Sequence, residues 1–144
     1  MNQELPALKQ EALLQKSKYS NASVPGVLEL KDGRISFNLV PEHAQEFGGA
    51  LGAGKFLGIS GIRERLDAGE SIEVFDVSAS EAGVKKLSVL SSLTGFELKT
   101  QDGNFVLVFK HFAPWGKAIL TKGMKTGGRE ASNQWQKAIA ESAG

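Results

Sequence analysis

Two stretches of this sequence alternate apolar and polar residues around an Asp-Gly pair, and this pattern limits the fold more than any other feature. In "VLELKDGRISFNLV" (27–40) the apolar residues on both sides of Asp32-Gly33 fall at every second position. Apolar and polar residues that alternate on both sides of a glycine, which accepts positive φ in a turn, predict a β-hairpin. "GFELKTQDGNFVLVFKHF" repeats the arrangement near residue 100. Its return run "FVLVF" is apolar at every position, which predicts a central strand buried on both faces.

The segments around these hairpins complete an α+β pattern. "SIEVFDV" predicts a strand with Ile72 and Val74 on one face and Phe75 and Val77 on the other, and "GVKKLSVL" predicts a further strand. The ends of the chain have helical spacing, with Pro6 suited to a first turn, Ser132 a candidate N-cap, and Trp135, Ala138 and Ile139 sharing one helix face.

We therefore expect one small antiparallel β-barrel capped by a C-terminal helix, with an additional N-terminal helix. Residues 1–144 would form a single domain, since this is the usual length of one. Its predicted parts are an N-terminal helix at 4–18, barrel strands at 24–110, a basic loop at 111–129 and a capping helix at 130–142. Single strands do not alternate with long helices, so a parallel sheet is not expected.

Composition excludes several classes of function. The chain has no cysteine, which removes disulfides, thiol nucleophiles and cysteine-bound zinc. Its formal net charge of +1 provides no global field for nucleic acid, which makes nucleic-acid binding unfavoured. No stretch approaches the ~20 apolar residues of a membrane span, and the N-terminus does not have the pattern of a secretory signal. We expect a cytoplasmic protein, with peripheral membrane attachment as a further option.

The segment "GGALGAGKFLG" contains part of a phosphate-loop motif, in Gly49, Gly54 and Lys55. A working loop follows a buried strand, precedes a helix and has Ser or Thr after the Lys, whereas Phe56 stands there. We therefore expect a glycine-rich connection, with an anion nest of backbone amides left open. No catalytic residue, metal ligand or cofactor is assigned.

"PEHAQE" places His43 and Glu46 three residues apart, a spacing that suits metal binding or acid–base work on one helix face. The chain has one other histidine, His111. A small-molecule-binding protein or enzyme that uses the glycine-rich 48–61 loop and His43 is therefore the alternative function. The competing interpretation is a loop histidine and a strand-end histidine without a common site.

Basic and aromatic residues alternate between positions 110 and 129, with no acidic residue before Glu130. Such a segment suits an anionic lipid surface, a nucleic acid or an acidic partner. Its aromatic residues could equally pack against the sheet while the lysines face water.

The sequence resembles the pleckstrin-homology-like superfold, which includes GRAM domains. The resemblance lies in "GVLELKDGRISF", "IEVFDVSASEAGVKKLSVL", "GFELKTQDGNFVLVF" and the last helix, and it covers about residues 24–110 plus that helix. It implies a bent antiparallel barrel closed at one end by the C-terminal helix. In members that bind phosphoinositides, several basic residues surround the first hairpin, whereas this sequence has only Lys31 and Arg34 there, separated by Asp32.

These observations predict a non-catalytic binding module that docks a protein partner or an anionic membrane surface. The candidate binding residues are Lys110, Trp115, Lys117, Lys122, Lys125, Lys31 and Arg34.

Overall fold

The computed structural model describes residues 5–16, 23–47, 57–86, 94–101, 103–112, 118–120 and 128–143, with the backbone alone for residues 45, 46, 94, 110–112, 118–120 and 128–131. The strands are β1 Leu8–Gln15, β2 Val24–Lys31, β3 Arg34–Leu39, β4 Ile72–Ser78, β5 Gly83–Lys86, β6 Thr94–Thr100, β7 Gly103–Phe112 and β8 Ala118–Leu120. The helices are α1 Ile62–Asp67 and α2 Gly128–Ala143, with 3-10 helices at Pro41–Phe47 and Ala79–Glu81.

All strand pairs are antiparallel and form one sheet in the order β4-β3-β2-β1-β7-β6-β5, with β8 paired to β7. The first four strands and β5 to β7 each form a meander, and the β1–β7 pair joins the two. Within the described residues, the terminal strands β4 and β5 are not paired with each other. The antiparallel sheet with a C-terminal helix is confirmed, but the expected closed barrel is wrong.

The predicted N-terminal helix is also wrong, because residues Leu8–Gln15 form strand β1. Its even-numbered residues face the core, from half-buried Leu8 to fully buried Leu14, while Lys9 and Glu11 are exposed. The strand pairs with β2 along its length and with β7 near its end. Leu, Gln, Glu and Ala have an intrinsic helix preference of roughly a few tenths of a kcal/mol per residue. Hydrogen bonding to strands on both sides and burial of one face outweigh that preference.

The predicted hairpin around Asp32-Gly33 is confirmed as β2–β3. Asp32 and Gly33 have φ of 52° and 76°, the pair of positive angles that a type I′ turn requires. The Gly33 carbonyl accepts a hydrogen bond from the backbone N–H of Ala79, at 2.8 Å. This bond ties the turn to the chain that follows β4.

The predicted faces of β4 are wrong because the strand contains a β-bulge. Phe37 pairs with Phe75, but the next residue, Asn38, pairs with Glu73, so that Val74 is the extra residue. Ile72 and Phe75 are both buried as a result, although simple alternation placed them on opposite faces. The sequence pattern could not show where a single inserted residue reverses the alternation.

Strand β7 is central, as predicted, and lies between β1 and β6. Leu107 and Phe109 belong to the main core, whereas Val106 and Val108 are buried on the opposite face, where Leu13 packs against them. A Cβ on Gly95 of β6 would lie 1.8 Å from the Leu107 carbonyl oxygen, so this close approach of the two strands requires glycine.

Helix α2 confirms the predicted C-terminal helix but begins earlier than residue 130. Trp135, Ala138 and Ile139 are buried as expected. Ser132 is not an N-cap, because the helix starts at Gly128 and the Ser132 hydroxyl instead donates to the Gly95 carbonyl at 2.8 Å. The predicted 111–129 loop is interrupted by β8 and by the first turn of this helix.

Candidate functional site

The strand register places the β2–β3 turn and the carboxyl end of β7 at the same end of the sheet. Leu8 pairs with Leu30, so β2 runs towards its turn beside the start of β1. Leu13 pairs with Val108 and Gln15 with Val106, so β7 also runs towards the start of β1. We call this end of the sheet the capped end. The Thr100–Gly103 turn lies at the opposite end, which we call the far end.

Two hydrogen bonds from its first half attach helix α2 to the capped end. Ser132 bonds to Gly95 near the start of β6, and the Trp135 indole N–H donates to Gln10 Oε1 of β1 at 2.9 Å. Near the helix C-terminus, the Ser142 carbonyl lies 3.9 Å from the position that a Cβ on Gly33 would take. The helix also contacts the 3-10 helix Ala79–Glu81, which follows β4. A helix held at these points closes the capped end of the core.

Lys31 and Arg34 flank the turn at the capped end, and both are exposed. Arg34 is already engaged: its Nε lies 2.8 Å from Asp76 Oδ1, and its Nη2 donates to the Asp76 carbonyl at 3.2 Å. Among the described side chains, no carboxylate forms an ion pair with Lys31. Asp32 is exposed in the turn itself. Lys31 is therefore the more available cation of the two.

The remaining predicted site residues belong to the segment that follows β7. Lys110 lies on β7, where its backbone pairs with Leu120 of β8, and its side chain is not described. Trp115, Lys117, Lys122 and Lys125 lie outside the described residues. The chain leaves β7 at Phe112 and re-enters the sheet directly opposite, at Ala118. The structure therefore brings the start of this segment and Lys31 to the same end of the sheet.

The structure also shows that the hairpin containing Lys31 and Arg34 is the second of the sheet, not the first. The first hairpin is β1–β2, and exposed Lys16 stands where its connection begins. Lys16 was not among the predicted site residues because residues 4–18 were expected to form a helix. The signal was the alternation of Leu8, Gln10, Ala12 and Leu14, which is compatible with a strand as well as with a helix. Gln15 pairs with Val106 near the start of β7, so Lys16 lies at the far end and not at the capped end.

His43 lies in the 3-10 helix Pro41–Phe47, with its ring half-buried. Its Nε2 is 3.8 Å from Glu11 Oε1, too long for a hydrogen bond, and its buried Nδ1 has no partner in the described structure. His111 lies on β7 in register with Ile119, and its side chain is not described. The described side chains contain no group of three His, Asp or Glu that could hold a metal ion. Most of the glycine-rich segment, 48–56, falls outside the described residues.

The comparisons with known proteins give a structural likeness alone. No protein-family model matches the chain, and no curated protein matches it. A solved structure that it resembles is the crystal structure of the pleckstrin homology domain of ArhGAP27, with 14% sequence identity and a TM-score of 0.44 over 96% of this chain and 98% of that one. Independently of that likeness, the chain's own strand order and the contacts of α2 give an antiparallel sheet with a C-terminal helix packed against it.

Within the described part of the chain, no helix has both the length and the apolar character needed to span a bilayer.

Proposed function

We propose that this chain is a non-catalytic binding module that docks an anionic membrane surface through its capped end. The observation that carries the proposal is the register, which brings Lys31 and the start of the basic segment 110–129 to one end of the sheet. That segment contributes Lys110, Lys117, Lys122, Lys125 and Arg129 without an intervening acid.

Among the described charges at the capped end, Lys31 and Arg34 stand beside Asp32 and Asp76, so the proposal takes its net attraction from the basic segment. A cation near an anionic bilayer contributes about 1 kcal/mol, so Lys31 and the basic segment supply several kcal/mol at low salt. Arg34 adds little while it remains paired with Asp76, because an exposed ion pair already neutralises its charge. Trp115, within the same segment, has the residue type that is enriched at membrane–water interfaces. Attachment of this kind weakens as salt is raised, because dissolved ions screen the attraction between exposed charges. It would make a cytoplasmic protein a peripheral membrane protein.

A protein with an acidic surface is the other partner that this arrangement fits. Interleaved cations and aromatic residues recognise carboxylate-rich surfaces by the same electrostatics. The two partners differ in one respect: a membrane binds in proportion to its content of anionic lipid, whereas a specific protein does not need lipid.

Co-sedimentation of the intact chain with vesicles tests the proposal. We expect binding to phosphatidylcholine–phosphatidylserine vesicles that falls as salt is raised, and little binding to phosphatidylcholine alone. Lys31→Glu should weaken binding several-fold, because it reverses a charge at the capped end. Lys99→Glu is the matched control: Lys99 is also exposed, but it pairs with Asn104 near the far end. Equal losses in the two variants, or binding that ignores lipid charge, would exclude docking through the capped end. No vesicle binding would leave an acidic protein as the partner to pursue.

His43 supports a second candidate, a small-molecule-binding protein or enzyme that uses the 48–61 loop. The supporting observation is the buried His43 Nδ1, which has no hydrogen-bond partner among the described residues, while Nε2 of the same ring lies 3.8 Å from Glu11 Oε1. A buried polar atom without a protein partner is a place where a ligand could bond. A thermal-shift screen of small anions and divalent metals would detect a ligand. If His43→Ala and His111→Ala respond to every compound as the parent chain does, this candidate fails.

A further inference from the structure

Leu5 is a large apolar residue that the fold leaves uncovered. Its exposed fraction is 46%, and among the described residues no other large hydrophobic side chain is classed as exposed. Leu5 precedes β1 and contributes nothing to the buried core cluster. A single exposed leucine is ordinary on a protein surface, so its importance depends on where it lies.

Leu5 lies at the tip of the capped end. Its Cδ1 is 3.5 Å from the position that a Cβ on Gly33 would occupy, so the leucine rests against the β2–β3 turn. Leu8 pairs with Leu30, and Lys31 follows Leu30 in the direction of that turn. Leu5 therefore borders the same turn as Lys31, which has no ion-pair partner among the described side chains, and as the exposed Asp32.

We propose that Leu5 is the apolar contact between the capped end and a bilayer, and that it enters the boundary between headgroups and acyl chains. This inference rests on the proposed function and assigns the apolar part of the same docking surface. Cations alone hold a protein at the headgroup level, whereas an apolar side chain gains energy only by leaving water. The exposed half of a leucine is expected to strengthen binding about fivefold, since complete burial of this side chain contributes about 2 kcal/mol.

The test compares three variants of the intact chain on phosphatidylcholine–phosphatidylserine vesicles over a range of salt. Leu5→Ser should weaken binding about fivefold at every salt concentration and leave the salt dependence unchanged, because it removes apolar surface and no charge. Leu5→Phe should strengthen binding. Lys31→Glu should instead reduce the salt dependence, because it removes a headgroup contact.

The outcomes separate this inference from the proposal beneath it. If wild-type binding depends on anionic lipid but Leu5→Ser binds equally well, the role of Leu5 is refuted and the docking proposal stands. If the wild type does not bind anionic vesicles, both are refuted. Thermal unfolding of Leu5→Ser is the folding control: a midpoint lowered by more than a few degrees would mean that Leu5 is structural, and would overturn the inference.

Discussion

Replacement of Trp135 by alanine should destabilise the chain more than truncation to alanine of any other described side chain in α2. The Trp135 side chain is fully buried, and its ring stacks on Phe109 with centroids 6.3 Å apart. Truncation of a buried aromatic residue to alanine costs about 3–5 kcal/mol, because the neighbours collapse only partly into the cavity. The indole also donates the hydrogen bond to Gln10 Oε1, and the buried Gln10 Nε2 already has no hydrogen-bond partner among the described residues.

Loss of the indole would leave both ends of the Gln10 amide unpaired, which adds about 1 kcal/mol or more. The total of about 4–6 kcal/mol is a large part of the 5–15 kcal/mol typical of a folded domain. At about 3 °C per kcal/mol for a chain of this size, the midpoint of thermal unfolding should fall by about 10–20 °C.

Urea unfolding of a matched set of variants measures this effect. Trp135→Phe keeps an aromatic ring against Phe109 and loses the N–H, so it should cost about 1–2 kcal/mol. Gln134→Ala, at an exposed position of the same helix, should change stability by less than about 0.5 kcal/mol. If Trp135→Ala loses less than about 1 kcal/mol, or no more than Gln134→Ala, the helix does not close the core as described.

Further expectations concern other contacts of the fold and the charge of the capped end. Gly95→Ala should prevent stable folding, because its Cβ would lie 1.8 Å from the Leu107 carbonyl oxygen; a soluble variant with native circular dichroism and unchanged melting would refute this. Ser132→Ala should cost about 1–2 kcal/mol in urea unfolding, since it removes a buried hydrogen bond to a β6 carbonyl; unchanged stability would contradict that bond. Asp76→Asn should strengthen binding to anionic vesicles, because it removes the carboxylate that offsets the charge of Arg34, and weaker binding would show that the ion pair itself is needed.

The fold was predictable where local sequence and tertiary structure favour the same conformation. Both Asp-Gly hairpins, the central position of β7 and the buried face of α2 followed from alternation, turn chemistry and helical spacing. Strand β1 could not be assigned, because its composition favours a helix and only pairing with β2 and β7 makes it a strand. The bulge at Val74 was similarly hidden, since one inserted residue leaves no mark in composition.

The sequence predicts which residue types form the candidate site, but not where they lie relative to one another in the fold. Sequence alone could not show that the chain enters the basic segment at the same end of the sheet as Lys31, because this depends on the β1–β7 register. Nor could it show that Arg34 forms an ion pair with Asp76, since these residues are 42 positions apart in the chain. Leu5 falls within the predicted helix 4–18, whereas the structure begins β1 at Leu8 and leaves Leu5 exposed.

Amide hydrogen exchange, measured with and without anionic vesicles, tests docking through the capped end most directly. Slower exchange is expected at Asp32-Gly33 and across the basic segment 110–129, with no change at the Thr100–Gly103 turn of the far end. Slower exchange confined to the far end, or exchange that vesicles leave unchanged throughout, would contradict the account.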